Sequence, residues 1–66
     1  MTNLKIIREQ RGISQAQLAA MLGITQGAVS QWENGTAKPT FDNIKKLAAV
    51  LNCTVDDLLK EPLEEA

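Results

Sequence analysis

Histidine and tyrosine are absent from the 66 residues, and Cys53 is the only cysteine. One cysteine cannot form an intrachain disulfide, and without histidine there are too few soft ligands for a zinc site. The sequence also offers no plausible pair of nucleophile and base and no glycine-rich phosphate loop. We therefore expect a protein that is not an enzyme and that binds no metal and no cofactor.

Long apolar runs are missing as well. No stretch approaches the roughly 18 residues of a membrane span, and the first ten residues, MTNLKIIREQ, carry charges too often for a secretory signal. These features predict a cytoplasmic protein without a membrane partner. A chain of 66 residues makes one domain and leaves no room for a separate sensing domain, so no small-molecule effector is expected.

The net charge of −1 hides an uneven distribution. Residues 1–55 carry six basic and three acidic side chains, whereas residues 56–66 carry one basic and five acidic side chains. A mildly basic body with an acidic tail fits a DNA-binding protein of modest non-specific affinity. It also fits many cytosolic proteins, so charge alone does not identify the partner.

Helix start and stop signals follow one another with hardly a linker between them. Gly12, Gly23 and the Asn34–Gly35 pair are expected to end the first three helices. Four hydroxyl residues are placed to begin the others as N-caps: Ser14, Thr25, Thr40 and Thr54. No segment alternates with the period of a strand. The sequence predicts an all-α, five-helix single domain over residues 1–66, with its compact core at about 3–60 and a short acidic tail at 61–66.

Apolar residues at helical spacing are expected to form the core. Both aromatic residues, Trp32 and Phe41, are included, and so are Leu58 and Leu59 in the fifth helix. Cys53 lies at a helix break, where a small apolar filler is a better interpretation than a redox switch.

Helices two and three, over residues 15–34, show a tighter pattern than an ordinary helical hairpin. Ala19 is small where the third helix must cross closely, Gly23 supplies a left-handed turn, and Ile24 fills the corner. This pattern predicts a helix-turn-helix. The outward face of the third helix carries uncharged residues that suit the mixed donors and acceptors of base edges. These residues are Gln26, Gly27, Ser30, Gln31 and Asn34.

Residues 4–59 resemble the lambdoid phage repressor and Cro family of XRE-type helix-turn-helix proteins, above all in the stretch SQAQLAAMLGITQGAVSQWENG. The resemblance implies that the third helix inserts into the major groove of double-stranded DNA. It further implies a sequence-specific transcriptional regulator, most simply a repressor. Such proteins bind as homodimers to palindromic operators whose half-sites lie about 34 Å apart.

The resemblance also implies roles for individual residues. Gln15 would bond a phosphate and brace the recognition helix. Thr25 and Gln26 would lie where that helix enters the groove, with Gln26 as the best candidate for direct base contact. Ser30 and Gln31, one turn further on, would contact bases or the sugar-phosphate backbone.

Asn34 and Lys38 would hold the DNA backbone on the far side. Gly27 departs from the family pattern, because a base-reading side chain is common at its position. One contact is then lost, although a glycine could instead permit closer backbone approach or be neutral. Charges at the positions of Arg8 and Glu33 pair inside related domains, which implies a structural ion pair.

A protein–protein adaptor, or an antitoxin-type module that binds a partner protein, is the main alternative. The polar face of the third helix argues against it, because protein interfaces favour apolar and aromatic anchors. The two functions are compatible in one chain, since an antitoxin can bind both its toxin and its own promoter.

Overall fold

The computed structural model describes residues 2–60, and within that range it contains five helices and no strand. The helices are α1 (Thr2–Gln10), α2 (Gln15–Leu22), α3 (Gln26–Asn34), α4 (Phe41–Leu51) and α5 (Val55–Leu59). The predicted all-α fold is confirmed. None of the five helices is long and apolar enough to cross a membrane. The acidic tail predicted at 61–66 lies outside the described residues.

All four predicted N-caps are present. The Ser14 hydroxyl accepts a hydrogen bond from the Gln17 backbone N–H at 3.0 Å, and the Gln17 side chain accepts one from the Ser14 N–H at 2.8 Å. Thr25, Thr40 and Thr54 each accept from the N–H three residues later, at 3.2, 3.2 and 3.0 Å. These bonds satisfy amide groups that the first turn of a helix leaves unpaired.

Arg11 holds the C-terminal end of α4. α1 ends just before this residue, at Gln10. Its Nε donates to the Leu51 carbonyl at 2.8 Å, and its Nη2 donates to the Asn52 carbonyl at 3.3 Å. Because the last carbonyls of a helix carry partial negative charge, the guanidinium stabilises this end of α4.

One hydrophobic cluster joins the five helices. α3 packs against α2 and α1, while α5 packs against α1 and α4. Ala19 is buried where α2 meets α3, as its small size predicts. The buried apolar side chains are Leu4, Ile7, Leu18, Ala19, Val29, Trp32, Leu47, Ala48, Leu51 and Leu58. Cys53 is half-buried against this cluster, and burial raises the pKa of its thiol, so it packs as a small apolar side chain.

Two residues that were predicted to be in the core are exposed. Phe41 is 62% exposed because it is the first residue of α4, where the core no longer covers the helix, and the Lys45 ammonium lies 5.2 Å from its ring centroid. Leu59 is 54% exposed. Neighbouring residues on a helix point about 100° apart; Leu58 points inward and is fully buried, whereas Leu59 points away from the core.

Candidate nucleic-acid interface

The polar face predicted on α3 is open to solvent. Gln26, Gly27, Gln31 and Asn34 are exposed and Ser30 is half-buried, whereas the opposite side of the helix is buried. The one charged residue of α3, Glu33, turns inward, and its side chain is only 4% exposed. The exposed face therefore presents hydrogen-bonding groups without a net charge.

Glu33 holds α3 against the rest of the domain. Arg8 donates to its carboxylate twice, from Nε to Oε2 at 2.6 Å and from Nη2 to Oε1 at 3.2 Å. The Gln15 Nε2 donates to Oε1 at 2.9 Å, and Arg8 also donates from Nη1 to the Ile13 carbonyl at 2.7 Å. The predicted ion pair is formed. It ties together α1, the turn before α2, the first residue of α2, and α3.

The electrostatics of this network keep both groups ionised. Burial alone would raise the pKa of Glu33, but the hydrogen bonds from Arg8 and Gln15, together with the positive charges of Arg8 and Lys5, lower it below its usual value. The hydrogen bond to Glu33 raises the pKa of Arg8 in turn. The pair is therefore a fixed structural element rather than a group that titrates near neutral pH.

The beginning of α3 combines an exposed cap with an open glycine. Thr25 is exposed, and its hydroxyl accepts from the Ala28 N–H. A Cβ added at Gly27 would come no nearer to another residue than 3.9 Å, at the Thr25 hydroxyl. Gly27 is therefore not required by packing, and it leaves a gap in the polar face where a side chain would fit.

The loop after α3 is fastened to the end of that helix. The Asn34 Oδ1 accepts from the Thr36 N–H at 2.9 Å and also from the Thr36 hydroxyl, while the Ala37 N–H donates to the Gln31 carbonyl at 3.2 Å. These bonds hold the segment that carries the exposed Lys38 beside the C-terminal end of α3. The Asn34–Thr36 contact was not predicted, although an asparagine two residues before a turn amide is a common signal for it.

The family model described as helix-turn-helix, HTH_3, matches residues 4–58. The chain belongs to this helix-turn-helix family. Repressor protein C2 of Salmonella phage P22 is 38% identical to it over 58 residues, which are 88% of this chain and 27% of that repressor. The transcriptional activator BcrR of Enterococcus faecalis is 32% identical over 56 residues, 85% of this chain and 28% of the activator.

A solved structure places the same fold on DNA. The chain matches the P22 c2 repressor, crystallised with synthetic operator 9T in the presence of Tl+, with a TM-score of 0.80 and 37% identity over 86% of each chain. The helix-turn-helix chain described here spans little more than a quarter of the length of the two curated relatives. The likeness therefore concerns about a quarter of each of those proteins.

Proposed function

We propose that the chain is a sequence-specific DNA-binding transcriptional regulator that inserts α3 into the major groove of its operator. The observation that carries this proposal is the exposed, uncharged hydrogen-bonding face of α3, which the Arg8–Glu33–Gln15 network holds against α1 and α2. Double-stranded DNA is the partner that such a face fits, because base edges in the major groove present mixed donors and acceptors. We further propose that the protein acts in the cytoplasm.

Gln26 is the first base-reading residue in this proposal. It lies in the first turn of α3, and it is exposed beside the Thr25 cap. Gln31 lies just over one turn later, and Ser30 stands next to it on the same polar face. A glutamine carboxamide can bond adenine through two hydrogen bonds, which contributes about 1–3 kcal/mol of discrimination.

Three other residues would position the DNA backbone. The Gln15 amide nitrogen gives one hydrogen to Glu33, and its second hydrogen remains for a phosphate oxygen. Asn34 uses its carbonyl oxygen in the loop, so its NH₂ group is the part that would reach the DNA. The exposed Lys38 ammonium would add a phosphate contact. Contacts of this kind set the register on the duplex without reading its sequence.

A homodimer is part of the proposal. A recognition helix of nine residues makes few base contacts, and two linked half-sites raise the affinity without new kinds of contact. The expected operator is an inverted repeat with half-sites about 34 Å apart, on one face of the duplex. Repression would follow when the bound dimer occupies a promoter, the simplest outcome for a domain of this size.

Selection of binding sites from a random duplex library tests the function. The purified protein should enrich an inverted repeat whose half-sites lie about one helical turn apart. Enrichment of a single, unrepeated site would support DNA reading but contradict the dimer. No enrichment at low salt would contradict DNA reading itself, and an adaptor or antitoxin-type module would become the leading hypothesis.

A further inference from the structure

We propose that Lys5 of α1 is an additional phosphate-binding residue, which contacts the DNA backbone beside the recognition helix. The inference rests on the proposed function and extends it to a helix outside the helix-turn-helix. A shallow groove of about 230 Å³ lies where α1, the start of α2 and α3 meet. Its lining residues are Lys5, Gln15, Ser30, Glu33 and Asn34.

The groove carries one lysine that forms no ion pair with a described residue, although its charge acts on Glu33 at longer range. Glu33 is already paired with Arg8 and bonded by Gln15, so its negative charge is balanced within the domain. Lys5 is exposed, and within residues 2–60 it forms no ion pair or hydrogen bond through its side chain. A lysine ammonium at a polar groove is therefore left for an anion that comes from outside.

The other polar residues of the groove identify that anion. Gln15 and Asn34 are proposed backbone contacts, and Ser30 lies on the reading face of α3. A duplex that touches these side chains brings its phosphates across the groove and towards Lys5. An ammonium group with three donors suits a phosphate oxygen, and it adds affinity without sequence preference. Lys5 would therefore position the duplex rather than read it.

The salt dependence of operator binding tests the proposal. Wild-type protein, Lys5→Gln and Lys5→Arg are titrated against the operator obtained by selection, between 50 and 200 mM salt. Loss of one phosphate contact in Lys5→Gln should reduce the magnitude of the slope of log K against log [salt] by about 0.9. The ratio of wild-type affinity to Lys5→Gln affinity should therefore be about 3.5-fold smaller at 200 mM salt than at 50 mM salt. Lys5→Arg keeps the charge and should keep the slope.

Lys60→Gln is the matched control. Lys60 is an exposed lysine that follows α5 and lies beside Asp57, and it does not line the groove, so removal of its charge should leave the slope unchanged. Thermal melting of each variant shows whether the fold is intact. An unchanged slope in Lys5→Gln, or an equal reduction in Lys60→Gln, would overturn the role of Lys5. If wild-type protein binds no duplex at low salt, the proposed function fails, and this inference fails with it.

Discussion

At the scale of single residues, the side chains that would read DNA are separate from those that hold the fold. Within residues 2–60, neither the Gln26 nor the Gln31 side chain hydrogen-bonds to another residue, and both are exposed. Gln15, by contrast, is bonded to Glu33. Substitutions of Gln26 and Gln31 should therefore change recognition while the domain stays folded.

The double variant Gln26→Ala/Gln31→Ala should bind the selected operator at least about 30-fold more weakly, because each lost base contact costs about 1–3 kcal/mol. The salt slope should stay nearly the same, since no charge is removed. Fluorescence anisotropy at several salt concentrations measures both quantities. Gln10→Ala, at an exposed glutamine of α1, is the matched control. Wild-type affinity in the double variant would refute the assignment of α3 as recognition helix.

At the scale of the elements, the turn between α2 and α3 and the start of α3 use glycine for different reasons. Gly23 ends α2 with φ at +71°, a left-handed conformation that residues with a Cβ adopt at a cost. Gly27 has no such conformation, and a Cβ at its position would make only an ordinary van der Waals contact, with the Thr25 hydroxyl at 3.9 Å. The first glycine is needed by the fold, and the second is not.

Gly23→Ala and Gly27→Ala should shift stability in opposite directions. We expect Gly23→Ala to lower the free energy of unfolding by about 1–2 kcal/mol, and Gly27→Ala to raise it by up to about 1 kcal/mol, because alanine is the better helix former. Urea denaturation measures both changes. A destabilised Gly27→Ala together with an unaffected Gly23→Ala would show that this account of the turn is wrong.

The same Gly27→Ala variant decides between the alternatives for its role in binding. Unchanged operator affinity would mean that the glycine has merely lost a contact or is neutral. Weaker binding with an intact fold would mean that the backbone of α3 approaches the DNA closely at this point.

At the scale of the whole molecule, the buried Glu33 carboxylate connects three helices, because it pairs with Arg8 of α1 and accepts a hydrogen bond from Gln15 of α2. The side chains of Arg8 and Glu33 are 10% and 4% exposed. Removal of one partner leaves the charge of the other buried and unpaired, whereas removal of both costs only packing and hydrogen bonds. The pair therefore links the orientation of α3 to the stability of the entire domain.

We expect Arg8→Leu or Glu33→Leu alone to destabilise the domain by about 3–5 kcal/mol, and the double variant to be more stable than either single variant. Urea denaturation of all four proteins completes the double-mutant cycle. Additive losses would show that the two charges contribute independently.

The pH dependence of stability gives a second view of this pair. The pKa of Glu33 is lower in the folded state than its ordinary value of 4.5. Its contribution to the stability of the fold is therefore complete above about pH 4.5, and it is lost as the pH falls through the folded pKa. The stability advantage of wild-type protein over Glu33→Gln should therefore shrink below about pH 4.5. Melting temperatures between pH 7 and pH 3 measure the difference, and a constant difference would contradict the ionised pair.

The sequence by itself determined the features that depend on local interactions. The caps at Ser14 and Thr54, the left-handed Gly23 and the polar face of α3 each follow from residues within about one or two helical turns. The predicted five helices are present for the same reason. The pairing of Arg8 with Glu33 was instead predicted from the resemblance to a family, because the pattern of a family reflects its shared tertiary structure.

Only the tertiary structure decided the features that depend on which helices meet. Periodicity places Phe41 and Leu59 on apolar faces, but it does not show where the core ends, and both residues are exposed. Arg11 reaches carbonyls 40 and 41 residues away, and Lys5 shares a groove with α3. Such contacts arise from the packing of separate elements, so no pattern within one element predicts them.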